Sequence, residues 1–296
     1  MRRMKKCAYL VMGDPGDYVT DYHLSLDAMA ELGWQVNCVP WRDPSTDWNG
    51  YDAVYICTPW DYPDDPDLFL RVLAAIEASS AHLINPIALV HWSLTKTYLR
   101  DLEAKGGAIV PSIWFDEFDS TQIAGWFETL RADKIVTKPQ VGTNSQHTFV
   151  LDEYVSADLL SKLEKTFANR PFFVQPFMSN VQSEGEYSLF FFGGEYSHAI
   201  LKTPEQGDFR SQEEHGAEIK SVVATSKQIM AAEKLLALVE PQPTYVRADL
   251  VRDENDNYLL MELELIEPSL YLRTNAGAAD RFARAFDERF QVLASK

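Results

Sequence analysis

The sequence of 296 residues has little cysteine, no long apolar run and a shortage of positive charge. Its three cysteines, Cys7, Cys38 and Cys57, form neither a C-x-x-C pair nor a zinc-ligand spacing. We therefore expect buried, reduced thiols in a cytoplasmic protein rather than a disulfide framework. No stretch of about 18 apolar residues occurs, and the apolar run at 7–12 is too short for a signal peptide, so no membrane span is expected.

The charge balance and the missing motifs exclude several functions. Lys and Arg number 27 against 44 Asp and Glu, a formal net charge of −17. A surface this acidic repels phosphate backbones and anionic lipids, which argues against nucleic acid and membrane partners. The sequence contains no Walker or G-x-G-x-x-G phosphate loop, no H-E-x-x-H and no G-x-S-x-G. Glu262 and Glu264 point the same way along one strand, which does not suit a glycosidase, where two carboxylates flank a bond.

The first third of the chain alternates short apolar strands with helices, which is typical of a parallel, Rossmann-like sheet. The expected strands are 7–12, 35–39, 53–57 and 83–84, and the expected helices are 23–32 and 66–79. Asp65 followed by Pro66 is a strong helix start. Ligands of such sheets lie beyond the carboxyl ends of the strands, and the segments 13–17 and 60–62 are expected at that rim of the sheet.

The remainder indicates a mixture of α/β and α+β structure. A helix at 93–105 leads to a small α+β lobe at about 110–175, and a larger antiparallel region follows. Its expected strands are 172–175, 187–192, 196–201, 245–251 and 258–266, and its expected helices are 227–239 and 278–289. We divide the chain into domains at 1–92, 93–175 and 176–296.

The most informative segment is a predicted hairpin, in which two β-rich runs flank a polar turn at 253–257. Pairing Val251 with Tyr258 would place Arg247 opposite Glu262. A slip of one residue would reverse the faces, so this register is an expectation that the structure must test.

The same register gathers carboxylates on one face of the hairpin. Asp249, opposite Leu260, would lie beside Glu262 and Glu264, with Arg247 among them. Hard oxygen ligands from two strands suit Mg²⁺ ions that also bind phosphates. The alternative is a solvated acidic face in a chain already rich in Asp and Glu.

Lys138 ends an apolar strand at 134–138 and is followed by a small polar loop at 140–147. An ammonium group and loop N–H groups can together hold phosphate oxygens. The loop residues concerned are Gly142, Thr143, Asn144 and Ser145. A surface hairpin with a snorkelling lysine is the alternative.

Together, the front sheet, the hairpin and the strand-ending lysine resemble the ATP-grasp superfamily over nearly the whole chain. Four strings are similar to one bacterial branch, which includes the D-cycloserine-forming O-ureido-serine cyclo-ligase and glutathione-synthetase-like proteins. They are Pro59-Trp-Asp-Tyr62, Asn85-Pro86, Glu184-Gly-Glu-Tyr-Ser188 and the segment 262–271. The resemblance implies an ATP-grasp fold with a Rossmann-like N-terminal domain, a small central lid lobe and a C-terminal antiparallel α+β lobe.

The resemblance also implies roles for individual residues. Nucleotide contacts fall on Lys96, Lys138, Gln175, the Phe177 backbone, Glu186 and Lys202. The catalytic positions are Lys202 and Arg210, which hold the transferred phosphate, and Arg247, which orients the carboxylates or simply neutralises them. The metal ligands are Asp249, Glu262 and Glu264. Substrate contacts are expected at Asp14, Trp60, Asp61, Tyr62, Glu267, Ser269 and Arg273. Glu262-Leu-Glu264 replaces the Glu-x-Asn of glutathione synthetases, which leaves the number of metal ions open.

The activity implied is an ATP- and Mg²⁺-dependent ligation of a small-molecule carboxylate to an amine through an acyl phosphate. The product would be an amide, a peptide or a cyclised molecule, and the acid would be amino-acid-like. The segments 140–147 and 212–220 contain less glycine than in relatives, so the cyclo-ligase reaction itself is not implied. Two alternatives remain, a small-molecule kinase on the same scaffold and a nucleotide-binding module without turnover. The oligomeric state is left open, a homo-oligomer included.

Overall fold

The structure is a computed structural model that describes residues 3–142 and 145–295. The strands are β1 Lys5–Val11, β2 Trp34–Pro40, β3 Ala53–Thr58, β4 His82–Ile84, β5 Ile113–Phe115, β6 Lys134–Pro139, β7 Phe149–Asp152, β8 Phe172–Pro176, β9 Glu186–Phe192, β10 Glu195–Thr203, β11 Glu218–Val222, β12 Tyr245–Arg252 and β13 Tyr258–Glu264. The α-helices are α1 Leu26–Glu31, α2 Pro66–Glu77, α3 Ile87–Ser93, α4 Tyr98–Ala104, α5 Ile123–Leu130, α6 Ala157–Phe167, α7 Ser179–Ser183, α8 Ser226–Leu236 and α9 Ala278–Ala294. Short 3₁₀ helices span Tyr22–Ser25, Trp48–Gly50, Tyr62–Asp64, Ser120–Gln122, Glu213–His215 and Leu272–Thr274.

The first four strands form a parallel sheet in the order β2-β1-β3-β4, here called the front sheet. Every residue of β3 is buried, as expected for a central strand covered on both faces. The predicted helix start is confirmed, because the Asp65 carboxylate accepts the Leu68 N–H at 3.0 Å. The expectation of three buried thiols is wrong for Cys38, which is exposed because β2 is an edge strand.

The central sheet is antiparallel, in the order β5-β8-β6-β7, and α5 and α6 close its core. Phe172 of β8 packs between Trp126 of α5 and Phe167 of α6, with ring centroids 5.7 and 4.6 Å away. The short edge strand β5 was not expected, since three residues carry too little alternation to be recognised.

The C-terminal sheet is a five-stranded antiparallel sheet in the order β11-β10-β9-β12-β13. Helices α4 and α8 pack on one face of this sheet. Helix α9 packs on the other face and reaches the front sheet, where Phe286 and Phe290 contact Trp34 at centroid distances of 5.3 and 4.8 Å. One hydrophobic core therefore joins the front sheet to the C-terminal sheet.

The predicted helix at 93–105 is wrong in one respect, because the chain forms two helices, α3 and α4, on either side of a break. Within the break, Lys96 donates its backbone N–H to the carbonyl of Gln140 at 2.7 Å. This bond ties the segment to the central sheet instead of to a continuous helix. Helix periodicity does not report such a tertiary contact, so the break could not be predicted from the sequence.

The hairpin register differs from the predicted one by two residues. The turn pairs Arg252 with Tyr258, and a bulge at Met261 then shifts the pairing by one further residue. Asp249 consequently lies opposite Glu262, while Arg247 lies opposite Glu264. Each shift of one residue would move the side chains of one strand to the opposite face, and two such shifts restore the original face. The charged side chains of Arg247, Asp249, Glu262 and Glu264 therefore still share one face of the sheet.

No helix in the described parts of the chain is long and apolar enough to cross a membrane.

Candidate active site

A cavity lies where the three sheets meet, and most of the predicted site residues line it. Those that do are Trp60, Tyr62, Lys96, Lys138, Gln175, Phe177, Glu186, Lys202, Arg247, Asp249, Glu262, Glu264, Glu267 and Ser269. They come from the front sheet, the central sheet and the C-terminal sheet, so the cavity exists only in the assembled fold.

Asp249 is the centre of a buried charge cluster in the floor of the cavity. Its carboxylate accepts hydrogen bonds from Arg247 Nε at 3.0 Å and Ser188 Oγ at 2.5 Å, and Lys202 Nζ lies 3.3 Å away. Burial favours protonation, but the cations of Arg247 and Lys202 outweigh it and lower the pKa of Asp249 to about 2. Asp249 is therefore an anion whose oxygens are already bonded.

Glu262 and Glu264 project from β13 beside this cluster and are each paired with one cation. Lys96 forms an ion pair with Glu262, and Arg247 forms one with Glu264. Burial opposes the charge on Lys96, but the carboxylates around it prevail and raise its pKa. Burial, reinforced by repulsion from Glu262, raises the pKa of Glu264 to about 7 despite the attraction of Arg247.

Glu186 and Lys202 form a second buried pair across β9 and β10. The other carboxylate oxygen of Glu186 accepts the Ser211 hydroxyl at 3.1 Å. Gly185 permits this arrangement, because its φ is +121° and an added Cβ would lie 2.9 Å from the carbonyl oxygen of Lys202. The Glu-Gly-Glu string thus places Glu186 at the cavity wall.

Lys138 differs from the other cations, because it forms no ion pair with any residue in 3–142 or 145–295. Burial lowers the pKa of this ammonium group, with a smaller contribution from Lys96. It projects from β6 into the cavity near the start of the polar loop, of which Gly142 and Ser145 also line the cavity. Thr143 and Asn144, predicted to hold phosphate with Lys138, lie outside the described residues.

The strand β8 and the residues after it form an apolar wall. Gln175 donates to the Ser112 hydroxyl at 3.0 Å, and the Phe177 N–H donates to the Lys134 carbonyl at 2.9 Å. The N–H of Phe177 is thus engaged within the central sheet. Sequence reasoning missed the neighbouring apolar lining, which comprises Val136, Met178, Val181 and Met261. Met261 reaches the cavity through the bulge, which has no sequence signature here.

Glu267 lies at the front-sheet end of the cavity. Trp60 donates its indole N–H to the backbone carbonyl of Glu267 at 3.0 Å, and Tyr18 packs on Trp60 at a centroid distance of 5.2 Å. Burial, followed by repulsion from Glu264, raises the pKa of Glu267 to about 8. Tyr18 was not among the predicted site residues, and an isolated tyrosine in a turn carries no signal for one.

Four predicted site residues do not line the cavity, and each has a partner elsewhere. Asp14 accepts the Gly16 N–H at 2.9 Å, and Asp61 pairs with Arg42 at 2.9 Å. Arg210 pairs with Asp208 at 2.6 Å. Arg273 bridges two carboxylates, 3.5 Å from that of Asp21 and 2.5 Å from that of Glu213. In this structure, these side chains stabilise loops around the cavity.

The donor set fits a magnesium ion that is shared with phosphates. Within the described ranges, no group of three or more His, Cys, Asp and Glu is placed to hold a metal ion. Mg²⁺ does not need such a cage, because it is usually bound by one or two carboxylates plus substrate phosphates. Glu262 and Glu264 supply that pair of carboxylates, whereas the oxygens of Asp249 are bonded to Arg247 and Lys202.

Comparisons with known proteins identify the fold. The structure of ATP-grasp ligase PsnB complexed with minimal precursor, Mg and ADP matches with a TM-score of 0.65 and 14% identity, over 97% of this chain and 98% of the other. D-alanine–D-alanine ligase from Bacillus anthracis matches with a TM-score of 0.68 and 13% identity, over 98% and 99%. The protein has the ATP-grasp fold.

A narrower set of matches gives the family. The cycloserine biosynthesis protein DcsG of Streptomyces lavendulae is 30% identical over 291 residues, 94% of this chain and 95% of that protein. The crystal structure of D-cycloserine synthetase DcsG matches with a TM-score of 0.85 and 29% identity, over 96% and 99%. Residues 7–85 match the family described as the N-terminal domain of D-cycloserine synthetase DcsG. The chain belongs to the DcsG family, whose ATP-dependent ligases form carbon–nitrogen bonds.

Proposed function

We propose that this protein joins the carboxylate of a small amino-acid-like acid to a nitrogen nucleophile through an acyl phosphate, with ATP and Mg²⁺, in the cytoplasm. A carboxylate oxygen of the acid forms a bond to the γ-phosphorus of ATP and releases ADP. The nitrogen then attacks the acyl carbon, the carbon–nitrogen bond forms, and inorganic phosphate leaves. The observation that supports this best is the cation arrangement. Lys138, which has no ion-pair partner among the described residues, faces the cavity whose floor holds Lys202 and Arg247.

The charged residues serve binding and charge neutralisation, as in phosphoryl transfer generally. Lys138 is free to bind phosphate oxygens, while Lys202 and Arg247 are held by their carboxylate partners in fixed positions. Such preorganised charges stabilise a transition state without reorganisation. Glu262 and Glu264 would hold Mg²⁺, which neutralises phosphate charge when bound. Met178, Val181 and Met261 would provide the apolar surface against the nucleotide base.

The front-sheet end of the cavity supports a small acid. The hydrogen bond from Trp60 to the Glu267 carbonyl joins the front sheet to the segment that follows β13. Trp60 and Glu267 both line the cavity, so this contact bounds it at the front-sheet end. D-cycloserine, after which the relative is named, is a small cyclised amino acid, so its open-chain precursor O-ureido-D-serine belongs in any substrate panel.

The test is to incubate the protein with Mg-ATP, hydroxylamine and a panel of amino and hydroxy acids, O-ureido-D-serine included. We expect hydroxamate and ADP to form together with one acid, because hydroxylamine intercepts an acyl phosphate. Without hydroxylamine, mass spectrometry of the product separates a linear amide from a cyclised one. ADP with a stable phosphorylated acid and no hydroxamate would establish a kinase instead.

Glu262→Gln tests the role of the carboxylate pair. We expect ADP release to fall roughly 100-fold or more, since one of two charges that organise the phosphates is lost. Glu218→Gln is the matched control, because Glu218 lies on β11 of the same sheet but is exposed and pairs with the exposed Lys220. Equal thermal melting of both variants would show that the fold is intact. Activity of Glu262→Gln close to that of the control would remove Glu262 from the proposal.

A further inference from the structure

The strand that carries Glu262 and Glu264, β13, lies at the edge of the C-terminal sheet. It pairs with β12 on one side, and among the described residues no further strand of the sheet lies on the other. Leu263, the residue between the two carboxylates, donates its backbone N–H to the hydroxyl oxygen of Tyr98 at 2.8 Å. A side chain thus accepts the hydrogen bond that a neighbouring strand would otherwise accept.

Tyr98 contacts β13 just after the bulge. Before the bulge, Leu260 forms two backbone hydrogen bonds on the same side, because its N–H donates to the Ala108 carbonyl at 2.9 Å and its carbonyl accepts the Val110 N–H at 3.0 Å. The bulge at Met261 then interrupts the regular pairing, and a bulge bends its strand and redirects the side chains near it. The Tyr98 hydroxyl fixes the backbone again between the two carboxylates.

The position of Tyr98 is itself fixed by packing. The residue is 2% exposed, its ring packs on Trp92 at a centroid distance of 5.3 Å, and it belongs to the core that α4 and α8 form with the C-terminal sheet. It begins α4, two residues after Lys96, whose ammonium group pairs with Glu262. The break between α3 and α4 therefore supplies β13 with two contacts, a cation for Glu262 and an acceptor for the next backbone N–H.

We propose that Tyr98 is a positioning residue, whose hydroxyl holds Glu262 and Glu264 in the arrangement that binds Mg²⁺ together with the nucleotide phosphates. This inference rests on the proposed function, in which the two carboxylates hold the metal. Mg²⁺ demands near-ideal octahedral geometry, so a small displacement of its ligands weakens binding. Without the hydroxyl, the buried N–H of Leu263 would lose its acceptor, and the strand would have to move to find another.

Tyr98→Phe tests this role, because it removes the hydroxyl and keeps the ring that packs on Trp92. Calorimetry measures the Kd of AMPPNP for the wild-type protein and the variant, once with Mg²⁺ and once with EDTA. Loss of a group that orients metal ligands typically lowers metal affinity about 10- to 100-fold, so the Kd with Mg²⁺ should rise at least about tenfold. The Kd with EDTA should change less than about twofold, because no metal is then bound. Half-maximal ADP release should require about tenfold more Mg²⁺.

Tyr9→Phe is the matched control, because Tyr9 is fully buried in the front sheet and its hydroxyl lies 3.0 Å from that of Ser25, outside the cavity. It should lower the melting temperature as Tyr98→Phe does and leave the response to Mg²⁺ unchanged. A wild-type response to Mg²⁺ in Tyr98→Phe would overturn the proposal, since the hydroxyl would then serve stability alone. If Glu262→Gln also leaves the effect of Mg²⁺ on AMPPNP binding unchanged, the metal role of the carboxylates in the proposed function has failed, and the positioning role falls with it.

Discussion

Lys202→Met would test how far the buried charge cluster depends on one cation. The side chain of Lys202 is 4% exposed, and it pairs with Glu186 and Asp249, which are 9% and 4% exposed. Asp249 keeps Arg247 after the substitution, whereas Glu186 keeps the Ser211 hydroxyl and has no second cation partner among the described residues. Breaking a buried pair from one side costs about 3–5 kcal/mol. We expect a value near the lower end, about 3 kcal/mol, because only one carboxylate is left unpaired.

Urea unfolding at pH 7 measures this loss directly. Adding Glu186→Gln to Lys202→Met should restore about 2 kcal/mol, because the unpaired charge is then removed. Lys220→Met is the matched control, since its pair with Glu218 is 56% and 62% exposed and should contribute less than about 0.5 kcal/mol. A loss below about 1 kcal/mol for Lys202→Met, or no recovery in the double variant, would refute the reasoning.

Two further predictions concern buried polar groups. Asn85 is fully buried, has a φ of 59°, accepts the Thr244 N–H and donates to the carbonyls of Tyr245 and Leu265. Asn85→Ala should therefore lower the free energy of unfolding in urea by about 3 kcal/mol. A decrease below about 1 kcal/mol would contradict this role. Burial lowers the pKa of His198 to about 4, so the wild-type protein should lose about 3 kcal/mol as the pH falls from about 6.5 to 4, a loss absent from His198→Gln. Parallel pH profiles of the two proteins would contradict this second prediction.

The strands were predictable wherever polar and apolar residues alternate, or apolar residues follow one another, over five or more positions, as in β9 and β12. Periodicity reports which side of a strand is buried, but not which residue of a neighbour lies opposite. The hairpin shows the difference, because the shared face of Asp249 and Glu264 was correct while the partners were not. The bulge at Met261 is a property of packing between strands, and the local sequence does not encode it visibly.

The sequence predicted most of the residues that line the site, but only partly which residues pair with one another. Lys138 and Glu267 line the cavity as expected, because the ends of strands converge there. Arg210 and Arg273 were expected at the phosphate and the substrate, yet they pair with acidic residues outside the cavity. In a chain with 44 acidic residues, each arginine has many possible carboxylate partners, and the sequence does not say which of them it meets.

The position of α9 has a consequence for how the protein is made. Phe282, Phe286 and Phe290 complete the core against which Tyr55 and Trp34 of the front sheet pack. During translation the residues of the front sheet are synthesised early, and those of α9 follow only after almost all of the intervening chain. Until α9 is synthesised, the first strands therefore have an apolar face exposed to solvent, and chains in this state aggregate or bind chaperones. Fragments that end before α9 should consequently be insoluble even though their strands and turns are complete.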